Sequence, residues 1–413
     1  MMVNLFFTLL RTQQHMLGGP LGPYIDEFAG LIHKQGYRRE VVRQKIRCLA
    51  DFSWWLQGHG FQVKDIDSKR ISGYLKNRKY GCKSYMNESF TIGRFMILLR
   101  SKGLLPSEAT HADKTESQLV VDTYERYLSV ECGLAKATLI NYLRVARDFL
   151  SELYGQKPCG FHQMNAREIV SYVRHHARGL PPNSAGMMVT GLRSFLRYLH
   201  HQGRITSDLA AAVPSVAFWQ LSTLPNFLPI AQVQRVLEGC NRKTSVGRRD
   251  YAILMLLARL GLRANEVACL TLDDIRWHTG EIVIQGKGPR KSCLPLSQDV
   301  GQALANYLKK GRPPCSSRRF FIRNRAPYQE FVGANTVSAL ASRALTRAGV
   351  SSTRKGAHVF RHSLATHMLR QGAKLADIGD LLRHRNINTT AIYAKVDFEA
   401  LFPLAQPWPR GIR

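Results

Sequence analysis

The sequence predicts a mainly α-helical protein of two or three domains with a small β-sheet in its C-terminal half. Three observations predict it. The chain has 413 residues, more than one ordinary domain holds. Apolar residues recur at helical spacing through most of its length. One stretch, residues 281–296, breaks that pattern with an alternating β-branched run, a Gly-Lys-Gly-Pro turn and a second short run.

Taken in order, residues 1–115 are expected to form an extra N-terminal helical domain. The apolar run at 3–10 is too short to span a bilayer, and no basic residue precedes it. A packed first helix is expected there rather than a signal peptide. Residues 24–75 and 124–173 look like two copies of one unit. An offset of 97 pairs Gly36 with Gly133, Phe52 with Phe149, Leu56 with Leu153 and Gly58 with Gly155. One residue more pairs Ile71 with Ile169 and Tyr74 with Tyr172. The second copy belongs to a helical domain expected at 116–206. It continues through 183–203, where Met187, Met188, Leu192, Phe195, Leu196 and Leu199 form an apolar stripe expected in the core.

Residues 207–229 lose periodicity and contain Pro214, Pro225 and Pro229, the composition of an interdomain linker. The last domain, 230–413, is expected to carry helices at 230–240, 250–260 and 266–270. Strands follow at 281–285 and 292–296, as a hairpin or three-stranded sheet. Further helices are expected at 298–310, 335–348, 358–371, 375–382 and 389–394.

The formal net charge of +30 is far outside what solubility requires and points to a polyanionic partner: DNA, RNA or an anionic membrane. The excess is uneven. Residues 1–115 hold 18 basic and 9 acidic side chains, 116–225 hold 11 and 8, and 226–413 hold 30 and 12. The strongest field therefore lies in the last domain. The eight cysteines are spread widely without a C-x-x-C pair, which suits reduced thiols in a cytoplasmic protein.

Candidate functional residues also concentrate in the last domain. Gly261 ends an apolar helix, and Arg263 at the following turn is placed to grip two phosphate oxygens, with Glu266 three residues on to orient it. Lys287 sits between two glycines at a strand turn, with Arg290 and Lys291 beside it as DNA-facing cations. His358 and Arg361 share a helix face. His362 is four residues from His358, an invitation to zinc, but the segment lacks the glutamate of a zinc hydrolase helix and carries an arginine that repels metal. His384 ends a helix in a polar corner between Arg383 and Arg385, two further cations expected to face DNA, and Tyr393 follows nine residues later.

Gly-Leu-Arg-x-x-Glu, Gly-Lys-Gly, His-x-x-Arg-His, an isolated His and Thr-x-x-Tyr occur here in the order and approximate spacing of the tyrosine recombinase (phage integrase) family, which residues 225–400 resemble. Residues 124–203 resemble that family's helical, SAM-like core-binding domain. The resemblance implies a small β-sheet inside a C-terminal catalytic domain, preceded by helical DNA-binding domains that clamp double-stranded DNA. It implies a site-specific recombinase or integrase, encoded by a mobile element, that works through a 3′-phosphotyrosyl intermediate. Tyr393 would be the nucleophile. Arg263 and Arg361 would hold the phosphate, with a hydrogen bond from His384. Lys287 would be the general acid, His358 would accept the tyrosine proton, and Glu266 would support the site from behind. No metal or other cofactor is implied.

A tetramer on paired DNA sites, alone or with other recombinases, is expected, with the apolar tail around Phe398, Leu401, Phe402 and Leu404 docking on a neighbour. The alternatives are a catalytically silent DNA-binding regulator and a type IB topoisomerase-like relaxer. Two residues depart from the family pattern: Leu260 where threonine is common, and Arg383 where glycine usually precedes the histidine.

Overall fold

Helices make up nearly all the regular structure in the computed structural model of the chain. The structure describes residues 1–78, 87–105, 115–155, 157–216, 225–286, 291–353, 355–384 and 386–396. Its contacts divide it into two units, one of Pro106–Ser222 and one joining Met1–Leu105 to Thr223–Arg413.

The N-terminal segment does not open on a long helix. Met2–Leu5 form a single 3-10 turn, and the first α-helix, α1, runs Leu10–Met16. Val3, Phe6 and Phe7 are buried while Leu5, Leu9 and Leu10 are exposed. The run is thus packed as expected, though on an irregular backbone rather than one helix. Helices α2 (Gly22–Lys34), α3 (Arg39–Gly58), α4 (Ser68–Arg78) and α5 (Glu88–Ser101) complete this part around a core including Phe28, Phe52 and Phe95.

The Pro106–Ser222 unit holds α6 (Glu116–Arg126), a π-helical turn at Tyr127–Glu131, α7 (Lys136–Leu153), α8 (Ala166–Arg178) and α9 (Pro182–His201). Asn165 opens α8 with a capping box: its side chain accepts from the Glu168 N–H, and Glu168 accepts from the Asn165 N–H. The segments read as copies share one order: a long helix, a 3-10 turn, a further helix, then another. Their aromatic pairs also match. The Phe52 and Tyr74 rings lie 4.8 Å apart and the Phe149 and Tyr172 rings 4.9 Å apart. Of the stripe in α9, Met188 is buried but Met187 is exposed, because it falls one position off the core-facing arc.

The stretch expected as a linker is packed at both ends. Leu209, Ala210 and Val213 join the core of the Pro106–Ser222 unit, and Arg193 donates to the Val213 carbonyl at 2.8 Å. Leu228 is buried in the C-terminal core, and its N–H donates to the Ser363 hydroxyl.

The C-terminal domain is built from α10 (Ile230–Glu238), α11 (Ser245–Arg259), α12 (Ala264–Cys269), α13 (Gln298–Lys310), α14 (Ala334–Arg347), α15 (Ala357–Arg370) and α16 (Leu375–Leu382). A three-stranded antiparallel sheet follows α12, in the order β1 (Ile275–Arg276), β2 (Glu281–Gln285), β3 (Lys291–Pro295). Val283 pairs with Cys293, which sends Ile282, Ile284 and Leu294 inward. Helix α11 is apolar on nearly every face because α12, α13, α14 and α15 all pack on it. No described helix is long and apolar enough to cross a membrane.

The shared aromatic pair sets a stability test. Replacing Phe149 by Ala in the Pro106–Ser222 unit is expected to cost about 3–5 kcal/mol, read by chemical denaturation of the full chain as an earlier transition.

Candidate active site

Two helix ends and one helix face assemble the site. Helix α11 closes in a left-handed turn: Gly261 adopts φ +57° and the Leu262 N–H reaches back six residues to the Leu256 carbonyl. A side chain at Gly261 would be strained and would also meet Leu382 at 2.6 Å. Helix α16 closes in the same way, with Arg383 at φ +55° and the His384 N–H on the Gly379 carbonyl. A non-glycine residue in that region is disfavoured by about 1–2 kcal/mol, which explains why glycine is common there in the resembling family.

Arg361, on α15, joins these two ends. Its guanidinium donates to the Gly261 carbonyl at 2.5 Å and to the Leu382 carbonyl. Both acceptors sit at helix C-termini, where the backbone carries partial negative charge. The side chain is only 4% exposed. Burial, then Arg263 and Arg383, lower its pKa to about 10, so it stays charged at neutral pH.

Glu266, 6% exposed, is the carboxylate of this cluster. One oxygen accepts from the Arg263 N–H at 2.8 Å and from Arg383 Nη2 at 2.9 Å, and the other accepts from Arg263 Nη1 at 2.9 Å. Burial opposes its ionisation most, but Arg383 and Arg263 outweigh it and hold the carboxyl below its usual range. Arg263, about one-third exposed, therefore keeps donors free for a ligand. Arg383 presents none outward: its side chain is 9% exposed and turned inward onto Glu266. The expectation of a DNA-facing cation at 383 gives way to an internal ion pair, because a residue in the left-handed turn before His384 points back toward α12.

Tyr393 lies on a 3-10 turn, Ala391–Val396, rather than an α-helix. It is 1% exposed. Its hydroxyl is 3.0 Å from His362 Nδ1, and its ring lies parallel to that of His384 at 6.4 Å. Burial raises its pKa, while Arg361 and Arg263 pull it down. His384 Nδ1 is 2.7 Å from the Thr390 hydroxyl. Burial first, then Arg361 and Arg263, lower the His384 pKa to about 4, so the ring is neutral at pH 7. His358 keeps an exposed face, yet crowding by surrounding atoms, then Arg361 and Arg263, also holds it below its ordinary range.

The structure thus brings together Arg263, Glu266, His358, Arg361, Arg383, His384 and Tyr393. Lys287, Arg290 and Arg385 lie outside the described residues, as does the apolar tail. Lys291 is exposed at the start of β3. The sequence suggests His362 only as a zinc ligand, whereas the structure sets it against Tyr393. The signal for a site role was present, since His362 shares a helix face with His358 and adjoins Arg361. Fixed cations that can hold an oxyanion, with a phenol kept within reach, suit transfer of a phosphoryl group to that phenol.

Residues 226–400 match the phage integrase family, and 121–203 match the SAM-like N-terminal domain of phage integrases. The chain is 42% identical over 409 residues to the integrase/recombinase-type protein y4rA of Sinorhizobium fredii, covering 98% of each. It belongs to the phage integrase family of tyrosine recombinases.

It is also 31% identical to a tyrosine recombinase XerD of Listeria monocytogenes, over 67% of this chain and 94% of that one. Among solved structures, a XerH site-specific recombinase on its difH substrate aligns with TM-score 0.54 at 18% identity, over 76% of this chain and 93% of that one. A lambda integrase dimer on a core site aligns with TM-score 0.52 at 18% identity, over 71% and 98%. These two show a shared fold. As a tyrosine recombinase, the protein is an enzyme that breaks and rejoins DNA strands.

Two outcomes are expected of the cluster. Replacing Glu266 by Gln strands the surrounding guanidiniums around a neutral group. It is expected to cost about 3–5 kcal/mol and to lower strand cleavage, measured by denaturation and by cleavage of a nicked duplex. Stability is also expected to fall as pH drops from 6.5 toward 4. In that window the unfolded His384 takes up a proton that the folded one refuses. Thermal melts across that range should flatten in His384→Asn, with His358 and His367 contributing to the remaining slope.

Proposed function

We propose that Tyr393 is the nucleophile of this recombinase and that Arg263, Arg361, His358 and His384 hold the scissile phosphate. The observation that carries the reading is the burial of a phenol among two guanidiniums and two imidazoles, with its hydroxyl on His362. Two fixed guanidiniums match the non-bridging oxygens and stabilise the added charge of the pentacoordinate transition state.

The Tyr393 oxygen attacks phosphorus and the bond from phosphorus to the 5′ oxygen breaks. Lys287 gives its proton to that leaving oxygen. The phenol proton passes to a histidine. We assign the acceptor as His362, the ring at hydrogen-bonding distance, in place of His358. With Nδ1 of His384 occupied by the Thr390 hydroxyl, its Nε2 carries the proton that hydrogen-bonds the phosphate. The 3′-phosphotyrosyl ester keeps the bond energy, and a 5′ hydroxyl from a second strand reverses the step. Exchange between two sites calls for a multimer on DNA, and we propose a tetramer. The names of its relatives, integrase/recombinase among them, support an origin in a mobile element.

A nicked suicide duplex that traps the covalent complex tests the assignment. Tyr393→Phe is expected to abolish the denaturant-resistant adduct while leaving DNA binding intact. Arg263→Ala is expected to slow its formation about 10²–10³-fold. His362→Ala is expected to slow it about 10²-fold, with a loss that shrinks as pH rises. An adduct that still forms with Tyr393→Phe contradicts the assignment, and binding without cleavage by the unaltered chain favours a silent regulator.

A further inference from the structure

The first of the two copied helical units meets the C-terminal domain at a place the recombination chemistry does not use. The turn between α2 and α3 carries Gly36 at φ +82°, and a Cβ built there would lie 2.1 Å from the Tyr328 ring. The Tyr328 N–H donates to the Gln35 carbonyl at 3.1 Å. The matching glycine of the second copy, Gly133, has nothing within 4 Å of its Cβ position among the described residues. One copy's turn is therefore shaped to be covered and the other's is open.

Beside this contact lies a cavity of about 640 Å³, walled on one side by α3 and α5 and on the other by residues 323–329. Three cations line it, Lys45, Arg94 and Arg323, and among the described residues no acidic side chain does. Lys45 is 8% exposed and donates to the Thr91 hydroxyl at 2.9 Å. Its ammonium lies 5.4 Å from the Tyr37 ring centre and 5.6 Å from that of Phe90. Arg94 is set by the Tyr37 hydroxyl and the Gln35 side chain. Burial and then Arg94 depress the Lys45 pKa, a strain that an anion in the cavity would relieve. Phe90 remains more than half exposed at the rim, a flat apolar surface for a planar group.

We infer that this cavity binds a nucleoside phosphate, its phosphate held by Lys45, Arg94 and Arg323 and its base against Phe90. The volume suits a single nucleotide and not a duplex. The same chemistry is offered by a free nucleotide and by the terminal nucleotide of a single strand. Because the lining comes from both the N-terminal unit and the C-terminal domain, such a ligand favours the docked arrangement of the two by its differential affinity.

Calorimetric titration of the full chain with ATP, with a 5′-phosphorylated single-stranded tetranucleotide and with inorganic phosphate tests this. ATP or the tetranucleotide is expected to bind, the tighter of the two identifying the source, and inorganic phosphate to bind more weakly. Arg323→Gln, on an exposed side chain, and Arg94→Gln are each expected to weaken binding about tenfold. Gly36→Val is expected to abolish it with the helical content preserved, as read by circular dichroism. Arg263→Ala, in the separate phosphate site, is expected to bind as the unaltered chain does. The inference is overturned if neither nucleotide probe binds, if phosphate binds as tightly as ATP, or if Arg323→Gln and Arg94→Gln bind unchanged.

Discussion

A buried guanidinium clasped by the C-terminal ends of two helices is the interaction on which this site depends. Arg361 would be costly to bury alone. It is tolerable because the Gly261 and Leu382 carbonyls, both at helix ends, accept its protons. Those carbonyls are in place because both helices stop in left-handed turns, one at Gly261 and one at Arg383. The same two turns launch Arg263 and His384. One interaction thereby ties helix termination to the positions of the groups proposed to bind phosphate. Glu266 completes the arrangement: among the described residues it is the one buried acidic side chain, and it holds Arg263 and Arg383 together against their mutual repulsion.

Arg383 shows how a departure from a family pattern is absorbed. Glycine satisfies a left-handed turn without cost, whereas arginine strains it. Here the strain is offset by a salt bridge to Glu266, which also fastens the turn carrying His384 to the helix that follows Arg263. Leu260, the other departure, is buried in the C-terminal core.

Much of the site was legible in the sequence because short motifs encode local geometry. A glycine after an apolar helix marks the Arg263 turn, and a spacing of three puts His358 and Arg361 on one face. Helices α13 and α16 fall at the residues their periodicity predicts. What periodicity does not carry is the direction of a side chain in a left-handed turn, hence the inward course of Arg383. Nor does it carry a partner thirty-one residues away, hence the His362–Tyr393 contact. The Pro-rich stretch before the last domain looked like a free linker because proline breaks helical periodicity without preventing burial. The docking of Tyr328 against Gly36 joins residues almost three hundred positions apart, which no local pattern encodes.

The central claim, that fixed cations direct a phosphate to one buried phenol, is tested most directly by locating the covalent bond. The trapped protein–DNA adduct would be digested with protease and nuclease and its peptides sequenced by mass spectrometry. The account predicts a nucleotide 3′-phosphate attached to Tyr393. Attachment to any other residue, or through a 5′-phosphate, would contradict it.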